Sequence, residues 1–518
     1  MRRERDIEGY LGQLALRVDA LFAKSPYLEL VTLLSVTIAL RVLFLIANGL
    51  IRGVEFYSDD ALITLRYSFN LAQGRGFVYN PGEHVLGTTT PLYTLVMSIP
   101  ALLKLDLLWS SVITNSLIDC GSVIVIRRIL SNCVRSALVR LPLILLFAAN
   151  PVIIRWSCYG MEVSLLVFLS LLTAYWFWQG RYWASGISAA FVVLTRIDGV
   201  IFVGSLAIAH LIVCVLIARR FFVPWKMIVA FSAGFAPWAI FALLTFGSII
   251  PQSIVAKQLA YHWVQIPLIK ILDLGWGFST IPLYVVGCYS IMRRIRTGEV
   301  VYAVGLTYLL WAIALAIFFV ITRAPAHIYE WYRVPFFTSV AVVGMIGLRM
   351  LGSQLKEAFS RLRPRQRVYE LLNVTVLVLA PLFIFYARPL LDLLPGQQPQ
   401  TETSMHLAVG QWLRKNASSD ATVIAGNIGF IGYFSQLRVL DDVGLVSPEV
   451  LPFLANSHGD SAPLIDVFRP DYLALEWREV VTMQAEITRL QCAKTFEVGV
   501  AFPSVSSPYQ IYRCPWAK

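Results

Sequence analysis

Charged side chains are scarce in this chain of 518 residues, at 14% of the sequence, whereas hydrophobic residues make up 57%. A soluble domain averages about 25% charged residues. So low a charge content excludes an ordinary soluble protein, and the mean hydropathy of +0.67 agrees with that exclusion. The composition predicts a polytopic membrane protein that lies in a lipid bilayer.

Several other features are missing. No cleavable signal peptide is evident, because the first apolar run is too long for one and no small-residue cleavage site follows it. The seven cysteines show no spacing typical of a metal site. No internal repeat is visible. The net charge of +12 does not predict a nucleic-acid partner, since arginines between apolar segments usually set membrane orientation.

Apolar runs long enough to cross a bilayer recur along most of the chain. About 20 apolar residues span the hydrocarbon. The runs predict about eleven transmembrane helices, near 27–49, 107–126, 138–153, 163–179, 183–196, 199–217, 227–246, 276–292, 300–321, 334–350 and 369–387. The apolar segment 91–103 is too short to cross and is predicted to be re-entrant or interfacial.

Lysines and arginines are concentrated in alternate loops. If the N-terminus, with Arg2, Arg3 and Arg5, lies inside, the loops rich in these residues are all cytoplasmic. An odd number of spans then places the C-terminal region outside. The sequence therefore predicts a transmembrane domain over residues 1–387, with a first outer loop at about 51–106, and an extracytoplasmic domain over residues 388–518.

The C-terminal region has a different composition and predicts a small α/β domain. A helix is predicted at 406–416, and short strands are predicted at 421–425, 438–440, 472–475, 496–501 and 510–513. Gly426, Gly429 and Gly432 do not have the spacing of a dinucleotide fingerprint, so they are interpreted as turn and packing glycines. Cys492 and Cys514 would lie in an oxidising space, where a disulfide between them is plausible.

Two adjacent acids, Asp59 and Asp60, follow the first apolar run. Charge at a membrane boundary is costly, so its presence suggests a function. A buried acid with a raised pKa can act as a general base. Neighbouring residues at a helix start point in different directions, so one acid can face a reaction centre while the other binds a divalent metal or caps a helix. A plain N-cap for the helix that follows is the structural alternative.

Three basic residues are candidates for binding a phosphate. Arg66 lies about two turns beyond the acids on the same predicted helix, and an interfacial arginine is the alternative. Lys257 lies in a rather apolar outer segment, where it suits a phosphate or a snorkelling role. Arg196 is the third candidate, although it flanks a helix boundary with Asp198 and a structural pair between the two is favoured.

Aromatic and ionisable side chains in two further outer loops are candidates for binding a sugar or an acceptor. An aromatic ring suits the apolar face of a sugar, and charged groups suit its hydroxyls. An interfacial aromatic belt is the alternative, but His and Glu add chemistry that a belt does not need. The candidates are Glu162, His327, Glu330, Tyr332 and Arg333.

Several motifs, taken in chain order, resemble bacterial GT-C glycosyltransferases. The run SDDALITLRY at 58–67 is similar to the start of their first outer loop, and among them the mycobacterial arabinofuranosyltransferase B type is most similar. The similarity continues at 74–83, 89–93, 157–162, 194–199, 251–257, 427–434 and 439–446. The departures are Ile197, which stands where proline is usual, and the loop 327–333.

The resemblance implies a GT-C fold and a glycosyltransferase of the bacterial cytoplasmic membrane with its active site outside. It implies a polyprenyl-phosphate-linked sugar as donor, with arabinofuranose as a candidate sugar, and a hydroxyl of a cell-envelope glycan as acceptor. An acid of the first loop, Asp59 or Asp60, would be essential. Lys257 would hold the donor phosphate, assisted by Arg66. The family includes metal-dependent members, so Mg, Mn or Ca bound by Asp59 or Asp60 stays open.

Two other functions are also compatible with the sequence. A transporter or flippase of lipid-linked sugars would place ionisable groups near the bilayer midplane, where Arg41 and Asp119 are the candidates. A non-catalytic envelope protein that binds glycan through its C-terminal domain is the second competitor.

Overall fold

The computed structural model of the protein describes residues 20–22, 24–52, 57–262, 281–322, 330–360, 401–457, 460–499 and 508–517. Its first part is helical. The helices are α1 (Pro26–Arg52), α2 (Asp59–Ala72), α3 (Pro91–Leu102), α4 (Leu107–Ser131), α5 (Ala137–Ala148), α6 (Pro151–Cys158), α7 (Val163–Trp178), α8 (Tyr182–Thr195), α9 (Gly199–Ile212), α10 (Trp225–Phe246), α11 (Gln252–His262), α12 (Ile281–Arg294), α13 (Val300–Thr322) and α14 (Val334–Ser360).

Six helices among the described residues are long and apolar enough to cross a membrane, and a seventh span results if the bent pair Val139–Ala148 and Pro151–Cys158 counts as one. Helices α3, α7 and α8 are apolar but shorter. The chain is a multi-pass membrane protein, and the exact number of eleven spans stays a prediction. The predicted span at 369–387 lies outside the described residues.

The bend of 46° between α5 and α6 occurs at a residue pair that favours it. Asn150 accepts hydrogen bonds from the backbone N–H groups of Val152 and Ile153, and Pro151 occupies the first turn of α6, where a missing N–H costs nothing. On the other side of the bend, Arg41 donates to the Ala148 carbonyl oxygen at 2.7 Å. The polar groups released by the bend therefore have partners inside the bundle.

The C-terminal part forms a small sheet packed with helices. Its helices are α15 (Thr401–Asn416), α16 (Ile428–Ser435), α17 (Leu451–Asn456), α18 (Pro463–Phe468) and α19 (Trp477–Arg489), and its strands are β1 (Thr422–Ala425), β2 (Arg438–Asp441), β3 (Tyr472–Glu476), β4 (Ala493–Val498) and β5 (Tyr509–Arg513). The strand order is β2-β1-β3-β5-β4. Strand β1 pairs with β2 and β3 in parallel, while β5 pairs with β3 and β4 in the antiparallel sense.

The predicted fold class, mostly helical with a small C-terminal sheet domain, is confirmed. The carboxyl ends of the parallel strands β1, β2 and β3 face the same edge of the sheet, which is where sites form in such sheets. Here the edge carries the connection from β1 into α16, and α16 contacts Asp59 at the start of α2. A disulfide joins Cys492, just before β4, to Cys514, just after β5.

Glu479 gives a prediction of pH-dependent stability. Burial raises the pKa of Glu479 to about 7, against about 4.3 in an unfolded chain. The negative charge of Glu476 adds to this rise, and the hydrogen bond that the Glu476 N–H donates to the Glu479 carboxylate opposes it. A raised pKa favours the protonated form in the fold, so stability is lost as pH rises from about 4.3 towards 7. Glu479→Gln keeps the acceptor and cannot ionise. We expect it to match the wild type at pH 4.5 and to be more stable at pH 8.

Amide exchange of residues 472–489 in the full chain, compared between mutant and wild type at each pH, measures this difference. The nearby carboxylates Asp442 and Glu476 and the imidazole of His406 remain in both proteins. Because the charge of Glu479 also raises the pKa of Asp442, the difference between mutant and wild type includes this coupling. A stability difference that is the same at both pH values would contradict the raised pKa.

Candidate active site

The two adjacent acids open α2 and point to different partners. Asp59 and Asp60 lie in its first turn after Ser58, and successive side chains on a helix diverge by about 100°. The Asp59 carboxylate accepts hydrogen bonds from the backbone N–H groups of Gly429 at 2.9 Å and Phe430 at 2.8 Å. Asp60 instead faces an open cavity. Asp59 therefore caps α16 of the C-terminal domain rather than its own helix.

The open cavity beside Asp60 comprises about 480 Å³ of empty space, including the open solvent at its mouth. It lies between α2, the loop before α3, the start of α7, helix α11 and the turn Glu330–Arg333. Its lining residues are Asp60, Ile63, Thr64, Gly87, Thr88, Thr89, Thr90, Met161, Glu162, Arg196, Ser253, Lys257, Trp331, Tyr332 and Leu445. The walls are thus largely polar, and one lining residue comes from the C-terminal domain.

Lys257 brings a positive charge next to Asp60. Its Nζ lies 3.7 Å from Asp60 Oδ2 and 6.0 Å from the centre of the Tyr332 ring. Helix α11 positions Lys257, and its backbone is tied to the loop before α3 because Gln252 N–H donates to Leu86 O at 2.7 Å. In one cavity, a carboxylate can accept a proton while the neighbouring ammonium group binds an anion.

The second charged group of the cavity is built on Arg196. Its guanidinium binds Glu162 at 2.9 Å and both oxygens of Asp198 at 2.9 and 3.0 Å, and it lies 4.8 Å from the Tyr332 ring centre. The structural pair favoured from the sequence is therefore present, with Glu162 as a further partner. Burial raises the pKa of Glu162 above its ordinary value, against the opposing charge of Arg196.

The sequence reasoning missed the hydroxyl groups of the cavity wall, which belong to Thr64, Thr88, Thr89, Thr90 and Ser253. Thr64 Oγ1 lies 2.9 Å from Thr90 Oγ1, and Thr88 Oγ1 lies 3.0 Å from the same atom. Thr64 is one helical turn beyond Asp60, and the run of threonines at 88–90 comes directly before α3. Thr64 could have been found from the sequence, because it lies four residues after Asp60 and residues at that spacing share a helix face.

Arg66 lies away from the cavity. It is 1% exposed, and its guanidinium donates to the carbonyl oxygens of Tyr79 at 2.9 Å and Leu437 at 2.6 Å. Burial lowers the pKa of Arg66, an effect that Tyr79 opposes. The structure therefore brings Arg66 to the contact between α2 and the C-terminal domain, and it is not one of the residues that line the cavity.

The aromatic run before α14 is partly described. Trp331 and Tyr332 line the cavity and stack on each other with ring centres 5.9 Å apart. Glu330 and Arg333 belong to the same short turn, Glu330–Arg333. His327 lies outside the described residues.

Asp59 and Asp60 do not form a metal site with other side chains that the structure describes. No group of three or more His, Cys, Asp or Glu residues capable of holding a metal ion occurs among the described residues. Asp60 faces Lys257, and the oxygens of Asp59 accept backbone N–H bonds. The described side chains around Asp59 and Asp60 therefore do not form a complete ligand set for a divalent cation.

Arg41 and Asp119 form a buried ion pair inside the helical bundle. Arg41 and Asp119 are 1% and 2% exposed, and Arg41 Nη2 lies 2.9 Å from Asp119 Oδ2. Arg41 also donates to the carbonyl oxygen of Thr37. These contacts tie α1 to α4 inside the bundle.

Residues 393–512 match a family model described as a domain of unknown function, DUF8728. No curated protein matches the chain. The solved structures similar to it include the oligosaccharyltransferase of Archaeoglobus fulgidus in the apo form, with a TM-score of 0.57, 11% identity and coverage of 94% of this chain and 74% of that one. The same archaeal enzyme, AglB, in complex with an inhibitory peptide and a dolichol-phosphate gives a TM-score of 0.55 at 12% identity, with coverage of 96% and 75%.

A third structure of the archaeal enzyme, a complex with Zn and sulfate, aligns with a TM-score of 0.53 at 11% identity over 93% of this chain and 72% of that one. At such identities the likeness establishes the fold alone. The chain has a fold of the GT-C type, as the archaeal oligosaccharyltransferase does.

Proposed function

We propose that this protein is a membrane glycosyltransferase that moves a sugar from a polyprenyl-phosphate donor to a hydroxyl of a cell-envelope glycan. The observation that carries the proposal is the placement of Asp60 and Lys257, 3.7 Å apart, in one open cavity with polar walls. A lipid-linked donor fits a site next to apolar helices, because its tail needs lipid and its phosphate needs a cation. The fold likeness to AglB, whose complex contains a dolichol-phosphate, agrees with a donor of this class.

The cavity residues suit a single displacement step. Asp60 accepts the proton of the attacking hydroxyl, whose oxygen forms a bond to the anomeric carbon of the sugar. The bond from that carbon to the phosphate oxygen breaks, and the polyprenyl phosphate leaves with its electron pair. Lys257 stabilises the charge that develops on this phosphate. The sequence suggests Arg196 as a phosphate ligand, but its guanidinium already binds the carboxylates of Glu162 and Asp198. We therefore assign it a structural role in the wall of the cavity.

The sugar is proposed to lie against the aromatic wall. Tyr332 and Trp331 offer ring faces, while Glu162 and the hydroxyls of Thr64 and Thr90 offer hydrogen bonds. Arabinofuranose is the proposed sugar because the loop motifs resemble those of the arabinofuranosyltransferase B type. Glu330 and Arg333 stay candidates for acceptor contacts because their turn adjoins the cavity, and His327 stays a candidate from the sequence. The proposed location is the bacterial cytoplasmic membrane, with the cavity and the domain over residues 388–518 outside.

Replacing Lys257 tests the donor assignment. Lys257→Gln removes the charge proposed to bind the donor phosphate, so we expect the donor KM to rise about 10- to 100-fold, which corresponds to about 1.4–2.7 kcal/mol, with a smaller change in the acceptor KM. Initial rates in proteoliposomes with synthetic polyprenyl-phosphate sugars, the arabinofuranose donor among them, measure this split.

Lys415→Gln serves as the matched control, because Lys415 is exposed on α15 and lies in a different part of the chain. It is expected to leave both KM values unchanged. A wild-type donor KM for Lys257→Gln would refute the proposed phosphate site, and absence of transfer from every polyprenyl-phosphate sugar to a glycan hydroxyl would refute the function.

A further inference from the structure

Polar contacts hold the C-terminal domain against the start of α2 and against the segment that follows α2. Besides the two N–H bonds to Asp59, the Tyr79 hydroxyl donates to the carbonyl oxygen of Ile428 at 2.6 Å. Asn80 exchanges two bonds with the backbone of Val439 in β2, at 2.9 and 3.1 Å. We call the contacts of Asp59, Arg66, Tyr79 and Asn80 with residues 428–439 the clasp.

The clasp leaves no space between α16 and α2. A Cβ atom on Gly429 would lie 1.9 Å from the carbonyl oxygen of Asp59, and one on Gly432 would lie 1.8 Å from the Tyr79 hydroxyl. Real side-chain carbons never approach that closely. The two glycines lie three positions apart, hence on one face of α16, and this face rests directly on the start of α2 and on Tyr79.

The Asp59 carboxylate occupies the end of α16 where it is electrostatically favoured. The first N–H groups of a helix have no partner within it, and the helix dipole places partial positive charge there. Asp59 satisfies two of these groups with a pair of hydrogen bonds. Burial raises the pKa of Asp59, and the charge of His406 and the two N–H groups oppose that rise. Asp60 is the next residue along the chain. The position of α16 is therefore linked through Asp59 to the position of Asp60 in the cavity.

The C-terminal domain also closes one side of the cavity. Leu445, in the connection after β2, is a lining residue. A Cβ atom on Gly87 would lie 2.8 Å from the Leu445 carbonyl oxygen and 2.6 Å from a methyl carbon of Val446. The connection after β2 is therefore in close contact with the loop that carries Thr88 and Thr90.

We propose that Asp59 is a positioning residue, which docks the C-terminal domain so that Leu445 closes the cavity and Asp60 is held in place. The catalytic role of the cavity rests on the function proposed above, whereas the docking itself does not. The two neighbouring aspartates then have separate tasks. Asp60 meets the acceptor, and Asp59 completes the site by joining two parts of the chain, so the C-terminal domain is a structural component of the acceptor side of the cavity.

Two variants test the clasp from opposite sides. Asp59→Asn replaces one acceptor oxygen by an N–H₂ group that meets a backbone N–H, and Gly432→Ala adds a methyl group where Tyr79 and Arg66 leave no space. For both, we expect faster amide exchange over residues 428–446. We also expect kcat/KM for the acceptor to fall at least tenfold, while the donor KM stays within twofold because Lys257 is untouched.

Gly499→Ala is the matched control for the glycine variant, since among the described residues its Cβ would make an ordinary contact with Pro508, at 3.6 Å. It should exchange and react as the wild type does. If Gly432→Ala does not reach the membrane, Tyr79→Phe removes one bond of the clasp without adding bulk, and a smaller change in the same direction is expected.

Wild-type exchange over residues 428–446 in both Asp59→Asn and Gly432→Ala would overturn the clasp. It would be overturned equally if Asp59→Asn lost as much kcat as an Asp60 variant while exchange stayed unchanged, because Asp59 would then act at the reacting atoms. If the wild type transfers no sugar, the proposed function fails, and the exchange measurement still decides for or against the docking role.

Discussion

Asp60→Asn is expected to lower kcat about 10²- to 10⁴-fold, the range that a positioned general base contributes. The amide keeps the size of the side chain and its position beside Lys257, but it cannot accept the proton of the attacking hydroxyl. The donor KM should change little, because the proposed phosphate ligand remains. Single-turnover transfer from a polyprenyl-phosphate sugar in proteoliposomes, at matched protein levels, measures the loss.

Asp59→Asn is the matched control for this prediction, since it makes the same chemical change one residue away. The structure predicts a smaller loss of kcat for it, together with the increase in amide exchange described above. Equal and complete losses in both variants would contradict the division of roles, and wild-type turnover of Asp60→Asn would exclude Asp60 as the base.

Breaking the buried pair of Arg41 and Asp119 is expected to have the largest effect on stability. Removing one partner of a buried pair leaves an uncompensated charge and costs about 3–5 kcal/mol. Arg41→Met should therefore strongly lower the unfolding temperature in detergent, and it also removes the donor to the Ala148 carbonyl at the bend between α5 and α6. Asp119→Asn should have a smaller effect, because the amide oxygen still accepts one bond from Arg41.

The double variant Arg41→Met/Asp119→Leu distinguishes pairing from independent roles. It leaves no buried charge, so we expect it to be more stable than Arg41→Met alone. Thermal unfolding of the three variants in one detergent forms the comparison. If the double variant is destabilised by the sum of the single changes, the two residues act independently and the pair has no special role.

The membrane class and the layout of the elements followed from local properties. Scarce charge and long apolar runs predict membrane helices, and the short runs between turn residues at 421–425 and 472–475 predict strands that the structure has at β1 and β3. Helix α3 was expected as a short apolar segment and is present at Pro91–Leu102. Such signals depend on residues close in sequence, which is why they can be interpreted without a structure.

The composition of the site was only partly predictable. Asp60, Lys257, Glu162, Arg196 and Tyr332 were all candidates, and all line one cavity. Their common location depends on loops far apart in the chain, so the sequence could suggest it only through the topology of the spans. Of the two partners of Arg196, the sequence predicts Asp198, which is two residues away in the chain. It does not predict Glu162, which comes from a different helix end.

By itself, the sequence determined that the chain lies in a membrane, that it ends in a small α/β unit, and that an acid pair follows the first apolar run, because composition and periodicity are properties of short segments. Tertiary structure alone decided which acid faces the cavity. Asp59 and Asp60 are chemically identical neighbours, and what separates them is that α16, about 370 residues further on, presents its free N–H groups to one of them.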